Sequence, residues 1–190
     1  MEQIIPIIEL KPNGSLNNIA LVTAPAIEEL FLTFSDEVQR FRFEDNEKHL
    51  VTGPVMIPDR KILRIDLDGN PYYVWFSKET IEELSQTFMR DMKNRDFNLQ
   101  HAENVRGIYV TESWLTGASD KSKDMGFDLP EGSWMMTVKI EDPLIWERIK
   151  SDELRGFSID GFFQIVKEPD YEAILQEVND IINNYEEDEQ

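Results

Sequence analysis

Short runs of β-branched and aromatic residues, separated by Pro, Gly, Asn and Asp, dominate the first two-thirds of the chain. Residues 4–10, 16–22, 29–34, 39–43 and 50–57 therefore read as strands. Gln39-Arg-Phe-Arg-Phe43 alternates strictly, the pattern of a strand with one wet face. The turn cluster Asp66-Leu-Asp-Gly69-Asn-Pro71 lies between strand-like residues 61–65 and 72–76, which predicts a hairpin. Ser77 then caps a helix whose apolar stripe is Ile81, Leu84, Phe88 and Met92. Strands follow at 107–115, 133–140 and 155–166, with a short helix opened by Asp142-Pro143 before the last of them.

The loop at 116–132 is rich in Lys, Asp, Ser and Gly, and its length fits either a disordered excursion or a functional lid. From Pro169 onward Ile174, Val178, Ile181, Ile182 and Tyr185 share one helical face, and the chain ends in Glu186-Glu-Asp-Glu-Gln190. That helix either docks on the domain or serves as an interaction arm. The pattern thus divides into a β-rich domain, 1–167, and a C-terminal amphipathic helix with an acidic tail, 168–190. Its fold class is α+β, a β-rich barrel-like domain, closed or nearly closed, with flanking helices.

Charge and composition narrow the function. The 190 residues fit one domain. A net charge of −19 repels phosphate backbones and anionic lipid, so nucleic acid and membrane are not expected partners. The chain contains no cysteine, which excludes disulfides, thiolate catalysis and thiolate metal sites. Neither a charged leader with a long apolar core nor a spanning run is visible, and the chain reads as a soluble cytoplasmic protein. No helix carries paired metal ligands, and no cofactor is expected.

Two distant segments, Asn98-Leu-Gln-His101 and Arg155-Gly-Phe-Ser158-Ile-Asp160-Gly161, each offer half of a nucleophilic site. A serine hydroxyl needs a nearby base to attack a carbonyl, and histidine is the side chain suited to that task near neutral pH. The alternative is a small strand serine and a loop histidine with ordinary hydrogen bonds. A third group would orient the imidazole. Alternation along 107–115 puts Glu112 on one face with Ile108, Val110 and Trp114, where a carboxylate needs a cationic partner such as an imidazolium. Glu112 is therefore the first choice, and Asp160, which shares a strand face with Ser158, the second. His49, the other histidine, lies in the polar approach to a strand and is discounted. Gly156 and Gly161 could admit substrate close to the strand. Arg155 or Arg106 could lend positive charge to an oxyanion, and each of the four also reads as ordinary turn or surface chemistry.

An ordered set of segments resembles the phage prohead, or capsid maturation, serine proteases, and within them the XkdF-like branch. The set is Ile19-Ala-Leu-Val-Thr-Ala-Pro25-Ala-Ile-Glu28, Val51-Thr-Gly-Pro-Val-Met-Ile-Pro58, Tyr73-Val-Trp-Phe-Ser-Lys-Glu-Thr80, His101, Val110-Thr-Glu-Ser-Trp114, Leu129-Pro-Glu-Gly-Ser-Trp134 with Val138-Lys-Ile140, and Gly156-Phe-Ser-Ile-Asp-Gly161. The resemblance implies a fold similar to the herpesvirus assemblin proteases, with Ser158 as nucleophile and His101 as base. It implies a serine endopeptidase acting in the host cytoplasm, inside the assembling prohead. Its substrates would be scaffold and major capsid protein, and itself, with self-association a further expectation. The segment at 21–26 precedes the serine strand here and follows it in the more common prohead proteases, so the motif order suggests a circular permutation. Asn18 stands where related proteases carry an acidic residue. A non-catalytic assembly or scaffold component that keeps the fold is the competing reading.

Overall fold

The computed structural model describes residues 5–24, 42–45, 48–65 and 68–165. In chain order the strands are β1 (Ile7–Val22), β2 (Arg42–Asp45), β3 (Leu50–Met56), β4 (Ile62–Ile65), β5 (Pro71–Trp75), β6 (Phe97–Leu99), β7 (Glu103–Val105), β8 (Ile108–Leu115), β9 (Trp134–Ile140) and β10 (Gly156–Ile165). The helices are α1 (Lys78–Arg90), α2 (Lys121–Asp124) and α3 (Pro143–Lys150). Six strands form one sheet in the order β4-β5-β1-β6-β7 with β10 also on β1, and four form a second, β2-β3-β9-β8. One apolar cluster joins the two, with Ile19 and Leu21 of β1, Val51 and Val55 of β3, and Trp134 and Val138 of β9 among its members. The chain is thus β-rich α+β.

The expected barrel is not closed among the described residues. β1 branches its sheet, running parallel to β5 at residues 7–9, parallel to β6 at 19–21 and antiparallel to β10 from Leu10 to Val22. Residues 19–21 therefore have β6 on one side and β10 on the other. β10 and β3 then face each other across a cleft without pairing.

The sequence pattern suggested separate strands at 4–10 and 16–22, whereas β1 is one strand of 16 residues. Pro12 and Gly14, at φ +101°, are absorbed where the β1–β10 register shifts, since a bulge tolerates both a missing donor and a positive φ. Opposite this step a Cβ on Gly161 would stand 3.0 Å from Leu16 Cδ2 and 3.4 Å from Leu16 Cα. Gly161→Val is accordingly expected to overpack the β1–β10 pair and destabilise the domain by about 1–3 kcal/mol, read as a lowered Tm.

The β4–β5 hairpin forms as the turn cluster implies, with Ile62 opposite Val74 and Ile65 opposite Pro71. Ser77 caps α1 by accepting from the Thr80 N–H at 3.3 Å, and Ile81, Leu84 and Phe88 are buried. The stripe ends there, because Asp91 caps the helix and Met92 lies beyond it, 79% exposed. Asp142 caps α3 through the Leu144 and Ile145 N–H groups, with Pro143 in the first turn. The proposed strand at 29–34 and the amphipathic helix with its acidic tail lie outside the described residues.

The loop at 116–132 is built rather than loose. Thr116 Oγ1 donates to Pro130 O at 2.7 Å, closing its base. Phe127 and Leu129 bury against Ile57 and Met135 in a second apolar cluster on the other face of the four-stranded sheet. Asp120 organises the turn, accepting from the N–H groups of Gly117 and Ser122 and from the Trp114 indole. Burial alone would push the Asp120 carboxyl up, but these bonds outweigh it and hold the carboxyl at about 2. A depressed carboxylate stabilises fully above its unfolded value of about 3.9 and loses that contribution as pH falls through the folded one. Trp114 fluorescence should therefore report local loosening of the loop between about pH 4 and about 2. Asp120→Ala should loosen it at all pH values, at a cost of about 1 kcal/mol.

Candidate active site

β1 aligns the site. Ala20 pairs with Ser158 on β10 and with Asn98 on β6, so the three side chains share one face of the sheet. His101 follows Asn98 by three residues, in the turn between β6 and β7. Its Nε2 lies 3.0 Å from Ser158 Oγ. The two halves of the site, 57 residues apart in sequence, meet across the buried Ala20, where a methyl group leaves the imidazole room to reach the next strand but one.

The turn that presents His101 is unusual for its residues. Gln100 has φ +53° and His101 φ +59°, and the Ala102 N–H donates to Leu99 O at 3.0 Å. Two adjacent left-handed residues are the geometry of a type I′ turn, for which Asn-Gly and Asp-Gly are the usual choices. Placing Gln-His there costs of order 1 kcal/mol or more per residue, and such strain persists only when its surroundings over-determine it. Asn98 supplies much of that determination. The residue is 3% exposed and its Oδ1 accepts the His101 N–H at 3.0 Å. Gln100 adds one tether to β1 and one to the residue just after it, donating its N–H to Leu21 O at 3.1 Å and accepting the Thr23 N–H on Oε1 at 3.4 Å. Asn98 lay in the sequence segment first singled out but had no role there. The signal was an Asn just ahead of a turn, a residue type that bonds nearby backbone.

The other nominated residues are placed as follows. Glu112 stands on β8, in the other sheet, and the structure does not bring it to His101: its carboxylate meets Lys121 Nζ and accepts from Thr137 Oγ1 at 3.2 Å. Lys121, then burial opposing it, then Thr137 account for a Glu112 pKa held below the ordinary range. The reason lies in the register. Val110 pairs with Val138 and Glu112 with Thr137, so Thr111 is an extra residue on β8. The bulge turns Glu112 away from the face of Ile108 and Val110 and leaves it exposed.

Asp160 pairs with Asn18 and shares the Ser158 face of β10, two residues along. His49 packs on α3, stacked on Trp146 with centroids 4.7 Å apart, its Nδ1 3.2 Å from Ile140 O. Arg155 Nε is bound to Asp152, by the carbonyl at 3.0 Å and the carboxylate at 3.5 Å. Arg106 is exposed, beyond the end of β7. Among the described residues no acceptor bonds His101 Nδ1, and no group of three or more His, Asp or Glu side chains is arranged to hold a metal ion. No described helix is long and apolar enough to cross a membrane.

A strand serine with its hydroxyl on a turn imidazole is an arrangement in which the imidazole can take the hydroxyl proton. The chain belongs to the family described as "Putative phage serine protease XkdF", which matches residues 37–167. That span takes in His101, Glu112 and Ser158 but not β1. Two Bacillus subtilis (strain 168) proteins are similar to it. The first, named "Uncharacterized protein YqbD", is 25% identical over 88% of this chain and 50% of its own length. The second, named "Phage-like element PBSX protein XkdF", is 28% identical over 72% of this chain and 45% of its own. The chain thus spans about half the length of the curated relatives it matches. No solved structure matches it.

Proposed function

We propose that this protein is a serine endopeptidase of phage capsid maturation, with Ser158 as nucleophile and His101 as general base. The observation that carries the reading is the 3.0 Å contact between His101 Nε2 and Ser158 Oγ. The imidazole takes the hydroxyl proton as Oγ attacks a peptide carbonyl, then passes it to the leaving amine. Water repeats the cycle and releases the acyl group. Activity falls in acid, where a protonated imidazole cannot accept. The strained turn takes over much of the orienting work that a third side chain performs in other serine enzymes.

The resemblance to capsid maturation proteases directs the reaction to scaffold protein, capsid protein and the protein's own segments within the prohead of an infected host. An assemblin-like origin with permuted strand order accords with the first and last described strands. Leu10 pairs with Ile165, so a short hairpin could join the end of β10 to the start of β1. Among the described residues Nδ1 of His101 has no acceptor, which favours one other reading, a non-catalytic assembly component. Co-expression of the wild type or the Ser158→Ala form with the neighbouring scaffold and capsid genes separates the two. Product masses shortened only with the wild type support the peptidase. Unchanged masses in assembled particles from both forms overturn it.

A further inference from the structure

The β6–β7 hairpin carries His101 at its turn and an arginine at each of its two open ends, Arg95 just ahead of β6 and Arg106 just after β7. Both line two surface hollows, of about 540 and 480 Å³, and so form the wall between them. The larger hollow opens where β1 parts from β6: their pairing covers only residues 19–21 of β1, and Asn17 is the extra residue at a register shift against β10. The two arginines stand apart from other cations of the chain. Acidic residues number 38 against 19 basic ones, and Arg90, Arg148 and Arg155 each hold a carboxylate. Among the described residues Arg95 and Arg106 hold none. Arg95 instead lies over Tyr109, its Cζ 5.9 Å from the ring centroid, which orients the guanidinium and leaves its N–H edge for an acceptor. Nearby acids do not change this, since Asp96 is bound to Lys93 at 3.1 Å and Glu141 lines only the smaller hollow.

The larger hollow belongs to the sheet face that carries Ser158. Asn104 pairs with Asn98 and Asn18 with Asp160, so both asparagines share that face, and both line the hollow. Ser158, Ala20, Asn98 and Asn104 form one row across four strands, and Arg106 comes two residues after Asn104. At about 4.8 Å per strand and about 3.4 Å per residue, the Ser158 and Arg106 Cα atoms stand about 16 Å apart, the span of about five extended residues. We infer that Arg95 and Arg106 together bind one Asp or Glu side chain of a peptide segment lying extended across this face, about five residues from the residue at Ser158. Guanidinium forks match carboxylate oxygens, and the Asn18 and Asn104 amides can both donate to and accept from the main chain between. The net charge of −19 repels a polyanion far more than a single carboxylate, and physiological salt screens that field beyond about 8 Å, so the local pair of cations decides. The inference deepens the peptidase reading by naming an acidic residue that selects the segment, and it rests on that reading only for the segment being cleaved.

The test uses full-length protein carrying Ser158→Ala, so that binding is read apart from turnover. It is immobilised and offered a pool of twelve-residue peptides random in Ala, Ser, Val, Leu, Gln, Glu and Arg, and the retained peptides are sequenced by mass spectrometry. Glu is expected to be enriched at least threefold over Gln among them. Adding Arg95→Gln or Arg106→Gln should remove the enrichment, and Arg106→Lys, which keeps the charge without the fork, should keep only part of it. Arg90→Gln takes the same charge from α1, outside both hollows, and should leave the enrichment intact. Tm checks that each variant is folded. Equal retention of Glu and Gln, or an enrichment that survives loss of both arginines, overturns the site, and loss of enrichment with Arg90→Gln overturns it by reducing it to bulk charge. If no peptide is retained, or Glu is not selected, while the wild type cleaves co-expressed protein, this inference falls and the peptidase stands. Selection of Glu through both arginines without cleavage of any partner supports the site and removes the peptidase reading.

Discussion

Alanine at Ser158 is expected to abolish cleavage, lowering the rate by roughly 10³-fold or more, without unfolding the domain. The hydroxyl is half-buried and its bond is to an exposed imidazole, so its removal leaves no buried donor or acceptor unpaired. His101→Ala should lose activity to a similar extent, and the double variant little more. Groups that act as one unit are strongly non-additive: once the base is gone, the hydroxyl is an ordinary alcohol. Rates from the two single variants and the double, with Tm for each, check this. Losses that multiply would mean that the two residues do not share a step.

The second large effect is expected at Asn98, which touches no reacting atom and acts through the turn that holds His101. Asn98→Ala removes the acceptor for the His101 N–H at a buried position, a cost of about 1–3 kcal/mol. Relief of two left-handed residues becomes favourable once that tether is gone, and the imidazole leaves Ser158. Misplacement of about 1 Å at a catalytic group can cost 10²-fold in rate. The loss should fall on kcat with KM nearly unchanged. Asn98→Asp keeps the acceptor oxygen and should restore much of the rate. A variant that loses stability in proportion to activity, with no rescue by Asp, would reduce Asn98 to a packing role.

What was legible in the sequence follows local chemistry. Ser77 and Asp142 announced their helices because capping is decided within a single turn, and Asp66 to Pro71 announced the β4–β5 hairpin for the same reason. Ser158 and His101 were found as residue types, but their contact depends on β1 aligning β10 with β6, which no local pattern encodes. The face of Glu112 was misread because strict alternation holds only while the register is unbroken. The extra Thr111 reverses it, and a bulge without Gly leaves little trace in sequence. The breaks at Pro12 and Gly14 suggested two strands, whereas pairing with β10 carried one strand through them. The loop at 116–132 looked loose by composition, yet Phe127, Leu129 and Asp120 suffice to fix it.

The pairing of Ser158 with His101 is tested most directly by treating the purified protein with a fluorophosphonate and reading its intact mass and peptide map. One adduct on Ser158 is expected, absent from Ser158→Ala, strongly slowed in His101→Ala and slowed as the pH is lowered. A folded wild-type protein that takes no adduct, or takes it on another serine at a rate indifferent to His101, would contradict an activated nucleophile at Ser158.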